Sequence, residues 1–377
     1  MISRYALAQD PSTGETSDMR RELSSFRLSA AGAVILGGAA LDAGAQSPGD
    51  DVLLVPNSLR DSISVCESNG NLLSLYYVYL PANPEGPSPQ PIHVVPSGTG
   101  TLLIADEVLN QVAEFNTDGK LLRVLAGPDD GVISAYSLCV SGGVVYFTAP
   151  TTDPKLPNYI WKVPLNGSAP ASVFFDFSAL GVPRGIVRVQ TPTFDGFYVG
   201  DSAGDDIERI TINGQALTPF HDSNGITGID FPQQLVLLND GTLLAAGFSD
   251  PRGIYRYDSQ GNQIVYLPNG PGARGVHPLP NGEYLYTSGA AIYAVDSETG
   301  QNRTVYLGQS SDSFRFITPW RVPGGCPADF DGSGNVDGVD LSTLLAQWGT
   351  SGSADLNGDG TVSGSDLTFI LSAWGPC

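Results

Sequence analysis

Between residues 51 and 323 apolar and polar side chains alternate in short runs broken by glycine, proline, asparagine and aspartate, with little return at every third or fourth residue. A period of two predicts strands. Tight turns mark a repeat: Gly70, Gly119, Gly167, Gly214, Gly261 and Gly300 end SNG, TDG, LNG, ING, SQG and ETG, at spacings of 49, 48, 47, 47 and 39. Seven residues before the first five lie Ile63, Val112, Ile160, Ile207 and Ile254, and four before lie Cys66, Phe115, Val163, Ile210 and Tyr257; Ile292 and Val295 are displaced by one in the sixth. Each hairpin is preceded by another strand, such as DVLLVPN or GTLLIAD, and most by a short inner one, such as PIHVVP. Four strands in about 45 residues, six times over, predict a mainly β chain folded as a six-bladed propeller across 46–322. The first repeat lacks an inner strand and FRFITP at 314–319 has no blade after it. The C-terminal side is therefore expected to close the ring through blade 1.

The pattern changes after residue 323. DFDGSGNVDGVD at 329–340 and DLNGDGTVSGSD at 355–366 are one twelve-residue pattern offset by 26. Each is followed by apolar residues at i, i+3, i+4 and i+7: Leu341, Leu344, Leu345 and Trp348, then Leu367, Ile370, Leu371 and Trp374. That spacing predicts two short amphipathic helices, with the tryptophans packed against each other in a shared core. Oxygen ligands at loop positions 1, 3, 5, 7, 9 and 12, with glycine at position 6, suit a hard cation. The expected cofactor is two calcium ions. The first is held by Asp329, Asp331, Ser333, Asn335, Asp337 and Asp340, the second by Asp355, Asn357, Asp359, Thr361, Ser363 and Asp366.

Loop plus one helix, twice, resembles the dockerin module, a small all-α fold, and Cys326 to Cys377 is the stretch concerned. Gly325-Cys326 at its start and Cys377 at its end resemble the GC-type dockerins of extracellular bacterial proteins. The resemblance implies a Cys326–Cys377 bridge, worth on the order of 4 kcal/mol for a loop of about 50 residues in the chain-entropy model. It also implies a cohesin-like or cell-envelope protein as partner. Family contacts come from loop positions 10 and 11, here Gly338, Val339, Gly364 and Ser365. Position 12 is Asp where ordinary EF-hands have Glu.

The propeller repeats resemble the NHL and TolB-like type, most closely at GTLLIADEVLNQVAEFNTDGKLLRVLAG, 100–127. Asn57, Asp106 and Asp201 stand four residues before Asp61, Asn110 and Asp205 and are expected to cap turns. Related six-bladed propellers include binding platforms, and also lyases and lactonases that hold a metal in the axial channel. The Pro-rich stretch at 81–91 is read as a loop.

Leu28 to Leu41 is an apolar run of 14 residues, too short for a bilayer span, followed by Ala43-Gly44-Ala45. This predicts an exported chain, secreted or at the cell surface, with residues 1–45 as leader and cleavage near Ala45. Met19 followed by Arg20-Arg21 is the expected true start; a long twin-arginine leader is the alternative. The expected parts are thus leader 1–45, propeller 46–322 and terminal module 323–377, with no integral membrane segment in the mature protein. Residues 1–45 carry five acids and four bases of a chain at −21, which leaves −20. Such a charge argues against nucleic acid or an anionic membrane as partner. Cys66 and Cys139 are expected to be buried and unbridged.

Candidate chemistry in the propeller is sparse. His93 and His277 stand three residues before Pro96 and Pro280 and are aligned with Leu138, Thr191 and Val236 of the intervening repeats. Arg184-Gly185 and Arg274-Gly275 precede inner strands, with Arg315 in the closing segment. Arg184, Arg274 and Arg315 either form a cationic patch for an anionic glycan, a uronate or a sulfated sugar, or each pairs with one of the many carboxylates. No nucleophile elbow, phosphate loop or paired-carboxylate motif appears. The sequence therefore favours a binding propeller attached through its terminal module, with a link to extracellular polysaccharide use. The alternative is a lyase or lactonase acting on extracellular carbohydrate.

Overall fold

The computed structural model describes residues 51–376 except 82–85, 99, 118, 152, 224–225, 270, 322–327, 331–334 and 357–360. The leader, Asp331, Ser333, Asn357, Asp359 and the Cys326–Cys377 pair lie outside the described residues.

Six antiparallel sheets follow one another along the chain. Blade 2 is typical: Pro91–Pro96 innermost, then Leu102–Asp106, Gln111–Phe115 and Leu121–Ala126. In each blade the second strand is apolar on both faces, because successive side chains feed opposite interblade cores. Leu102 packs toward blade 1 and Leu103 toward blade 3. Six such cores join blades 1–2, 2–3, 3–4, 4–5, 5–6 and 6–1, so the ring is closed. The repeat anchors Ile63, Val112, Ile160, Ile207, Ile254 and Ile292 are all fully buried, as is Cys66. All six hairpin glycines adopt φ between +70 and +90°.

Blade 1 takes its inner strand from the C-terminal side, as expected, but the paired segment is Thr318–Arg321, with Leu54 opposite Thr318. Residues 314–317 approach more loosely: Phe314 bridges Asn57, and Arg315 N donates to Pro56 O at 2.9 Å. Asp312 locks the seam by accepting from Asn57 Nδ2 at 2.8 Å and pairing with Arg60. Blade 4 has three full strands, and bridges Ile207–His221 and Ile210–Ala216 replace the fourth.

The capping residues do what their repeat position suggests. Asp106 Oδ1 accepts from Val108 N and Leu109 N, and Asp201 Oδ1 from Val182 N and Ala203 N. Their partners Asp61, Asn110 and Asp205 sit at φ of 52, 55 and 64°.

Residues 328–376 form two nine-residue helices, α1 (Gly338–Ala346) and α2 (Gly364–Ser372), with a two-stranded pairing of Asn335–Val336 and Gly375–Pro376. The halves interlock. Val336 pairs with Gly375 beyond α2, and Val362 exchanges hydrogen bonds with Gly349 and Thr350 beyond α1. The core is Ala328, Val336, Leu344, Ala354, Val362 and Ile370. The tryptophans are not in it: Trp348 is 47% and Trp374 50% exposed, beside Leu345 at 54% and Leu371 at 57%. The helices end before the tryptophans, and the small core is already filled by residues 8 and 16 positions upstream of Leu344 and Ile370.

Candidate functional site

Three inner strands carry a bulge near their start, at Pro91–His93, Pro183–Ile186 and Pro232–Leu235. Val94, Leu138, Ile186, Leu235 and Val276 lie opposite Ile104, Phe147, Val199, Ala245 and Tyr286, each two residues before the end of its strand. His93 is one residue before this level and His277 one after it. The two histidines are therefore not equivalent, contrary to the sequence alignment, because Pro96, opposite Leu102, is level with Pro278, opposite Tyr284, and not with Pro280.

Two residues before the same level stand Ile92, Tyr136, Arg184, Gln233 and Arg274, with Arg315 two before Ile317 in the closing segment. Ile92, Tyr136 and Phe316 pack together on the axis and are buried. Tyr136 OH donates to Gln233 Oε1 at 2.7 Å, from blade 3 to blade 5. Gln234 Oε1 accepts from Val276 N at 3.0 Å and Ile317 N at 2.8 Å, while its Nε2 donates to Ile317 O at 2.6 Å. His93 completes the brace: Nδ1 accepts from Leu138 N at 2.9 Å, which leaves Nε2 to donate to Thr318 Oγ1 at 3.1 Å. Burial pushes its pKa down to about 3. With both ring nitrogens engaged, His93 is a structural residue rather than a ligand.

This plug divides the axis into two sites. Behind it, where the inner strands end, lies a cavity of about 740 Å³ lined mainly by apolar side chains, with His277 and Cys139 in its wall. His277 Nδ1 is buried without a hydrogen-bond partner, and burial lowers its pKa to about 4. Cys66 is buried and Cys139 half-buried, and both are free thiols.

In front of the plug the three arginines converge. The Arg184 guanidinium lies between the rings of Tyr136, at 4.9 Å, and Phe231, at 5.0 Å, and its Nε donates to Ser202 Oγ. Arg274 lies over Phe248 at 5.0 Å, and Phe231 and Phe248 are 5.7 Å apart. The result is a row, Arg184, Phe231, Phe248, Arg274. Arg315 stands beside its far end, with Nε donating to Ser58 Oγ at 2.8 Å. Burial, the neighbouring charges of Arg315 and Arg184 lower the Arg274 pKa, against a weaker pull from Glu107.

The arginines of the propeller divide by partner. Arg60, Arg123, Arg188, Arg252, Arg256 and Arg303 form ion pairs. Among the described residues Arg184, Arg274 and Arg315 form none, and the Nε of Arg274 is buried with no partner. Guanidiniums stacked on rings keep their in-plane edges for acceptors.

Sequence reasoning missed the two phenylalanines. Phe231 has φ 53°, a left-handed conformation that costs a bulky residue roughly 1–3 kcal/mol. Asp205 Oδ1 holds it by accepting from Phe231 N, as Asn110 Oδ1 accepts from Ser134 N two blades earlier, where Ser134 has φ 62°. The repeat thus places Phe231 where blade 3 has a serine, and that mismatch was the available signal.

In the terminal module, Asp340 and Asp366 are fully buried. Asp340 accepts from Phe330 N and Asp337 N, and Asp366 from Leu356 N and Ser363 N. Asp337 and Ser363, at loop position 9, also cap α1 and α2. The described donors are hard oxygens, and the position-12 carboxylates are already oriented by backbone amides; this set fits calcium.

No helix among the described residues is long and apolar enough to cross a membrane. No protein-family model matches the chain, and no curated protein matches it. Among solved structures, a chain of the nidogen/laminin complex aligns with 72% of this chain and 99% of its own length, at TM-score 0.58 and 16% identity. A protein of unknown function from Bacteroides caccae covers the same shares at TM-score 0.53 and 16% identity. A streptogramin B lyase aligns with 72% of this chain and 92% of its own at TM-score 0.49 and 15% identity, too distant to bear on chemistry. At such identities the likeness is one of fold: the chain is a mainly β, six-bladed propeller.

Proposed function

We propose that this chain is an exported binding protein whose propeller presents a ligand surface on the arginine-lined front face and whose terminal module attaches it, loaded with two calcium ions, to a partner. The observation that supports binding is the group of three guanidiniums that form no ion pair among the described residues, on a protein of net charge −21. Attachment rests on the dockerin resemblance, the interlocked halves and the solvent-facing Leu345, Trp348, Leu371 and Trp374. The calcium ligands proposed are the two sets of six loop residues, and the Cys326–Cys377 bridge would join the ends of the module.

The test has two arms. Calorimetric titration of the calcium-stripped chain should show two calcium ions bound. The calcium-loaded chain, immobilised and exposed to envelope and secreted fractions of the source cell, should capture a cohesin-like domain that a chelator releases. Two calcium ions with no chelator-sensitive capture would refute attachment. A front face whose triple Arg184, Arg274 and Arg315 to Gln variant binds every glycan as the unaltered chain does would refute the ligand surface.

A further inference from the structure

We infer that the row Arg184, Phe231, Phe248, Arg274, with Arg315, is a clamp for an acidic oligosaccharide carrying at least two anionic groups on neighbouring sugars. This deepens the proposed front-face reading and rests on it. Cation is found at both ends of the row and aromatic carbon in the middle. Arg184 serves one end; Arg274 and Arg315 serve the other, on adjacent blades whose backbones touch where Gly275 meets the Arg315 carbonyl.

Each part of the arrangement restricts the ligand. Both faces of the Arg184 guanidinium and one face of Arg274 are taken by Tyr136, Phe231 and Phe248, so an anion meets in-plane N–H edges there, the geometry that suits a carboxylate or sulfate through paired bonds. Two phenylalanine rings between the cations offer C–H contact to the apolar side of a pyranose and nothing to a second charge. Phe231, Phe248, Arg274 and Arg315 are half-buried while Arg184 is buried, so the row opens to solvent at its rings and its Arg274–Arg315 end. An acidic peptide is disfavoured because the ring is closed here and leaves no strand edge to pair with. The remaining surface is strongly acidic, which opposes long polyanions and leaves a short anionic stretch as the fitting ligand.

The experiment uses the calcium-loaded mature chain and isothermal titration with trigalacturonate, a sulfated galactan trisaccharide, cellotriose, monomeric galacturonate and triglutamate. Expected is binding of one or both acidic trisaccharides that falls at least tenfold between 50 and 500 mM salt, with monomer at least tenfold weaker and cellotriose silent. The better of the two trisaccharides names carboxylate or sulfate as the source. Arg274→Gln and Arg315→Gln should each weaken binding at least tenfold, Phe248→Ala should weaken it too, and Arg274→Lys should recover part of the loss, all at unchanged melting temperature. Binding of cellotriose as tight as trigalacturonate, lost in Phe248→Ala but not in Arg274→Gln, overturns the acidic clamp while leaving the front face as the ligand surface. Triglutamate binding tighter than either sugar, or no binding of any acidic trisaccharide, overturns the inference outright.

Discussion

Replacing Gln234 by leucine tests whether the axial brace holds the ring. The side chain is buried, and its amide serves three backbone groups at once: Val276 N, Ile317 N and Ile317 O. Leucine keeps most of the volume, so the cavity contribution is small. What remains is two donors and one acceptor stranded between buried strands. At about 1–3 kcal/mol per stranded group, eased by local relaxation, the loss is roughly 3–6 kcal/mol. For a domain of this size each kcal/mol lowers the melting temperature by about 2–4 °C, so a fall on the order of 10–20 °C is expected. Near-ultraviolet circular dichroism and the fluorescence of the buried Trp161 and Trp320 report it. Gln234→Glu adds a diagnostic. Its carboxylate accepts both amide protons but meets Ile317 O with a lone pair, so it is expected to be impaired at pH 8 and to recover under mild acid, when a carboxyl O–H can donate there. A leucine variant that melts within 2 °C of the parent refutes the brace.

Glu208 is buried, and desolvation, aided by Asp206, raises its pKa to about 7. The folded state therefore holds a proton that the unfolded state releases, and stability declines as pH rises from about 4.5 through 7. Glu208→Gln should gain about 1–3 kcal/mol at pH 8 and little at pH 4.5 in urea titrations; equal gains at both would contradict this. His93 acts in the opposite direction: its folded pKa is lowered, so stability falls as pH drops below about 6.5 toward 3, and His93→Gln should flatten that acid limb by up to ~1.4 kcal/mol per pH unit. An unchanged slope would count against it. A Cβ added at Gly261, where φ is 85°, would drive into the Phe220 carbonyl, so Gly261→Ala should cost at least about 2 kcal/mol by denaturant midpoint; Gly241→Ala, with the same sign of φ in open space, should cost less. Asp366→Ala should leave one calcium of the proposed two in calorimetric titration, and retention of both would exclude it as a ligand.

The repeat was legible because its anchors are packing positions. A residue such as Ile160 must be apolar in every blade to fill an interblade core, and a residue such as Gly167 must allow a left-handed turn, so the pattern survives in the sequence. The ring closure was legible for the same reason, save that the paired strand begins at Thr318 and not Phe314. The level of the histidines was not. Counting back from a proline made His93 and His277 look alike, but strand pairing sets Pro96 level with Pro278, and only His93 has both ring nitrogens bonded. Helical spacing put Trp348 and Trp374 on one stripe with Leu344 and Ile370, yet nine-residue helices stop before reaching them. The arginines were found from their place before the inner strands, but their aromatic partners come from other segments, a relation that only folding reveals.

The seam at Asn57, Asp312 and Thr318–Arg321 fixes an order of events. Residues 51–57 emerge before the rest of the ring during synthesis, and their partners lie more than 250 residues later. Until then the first complete strand has an open edge and the ring cannot seal, the state in which sheet proteins are most prone to pair wrongly. The same seam makes truncation asymmetric: losing the terminal module leaves the ring intact, whereas losing ten more residues would unseal it.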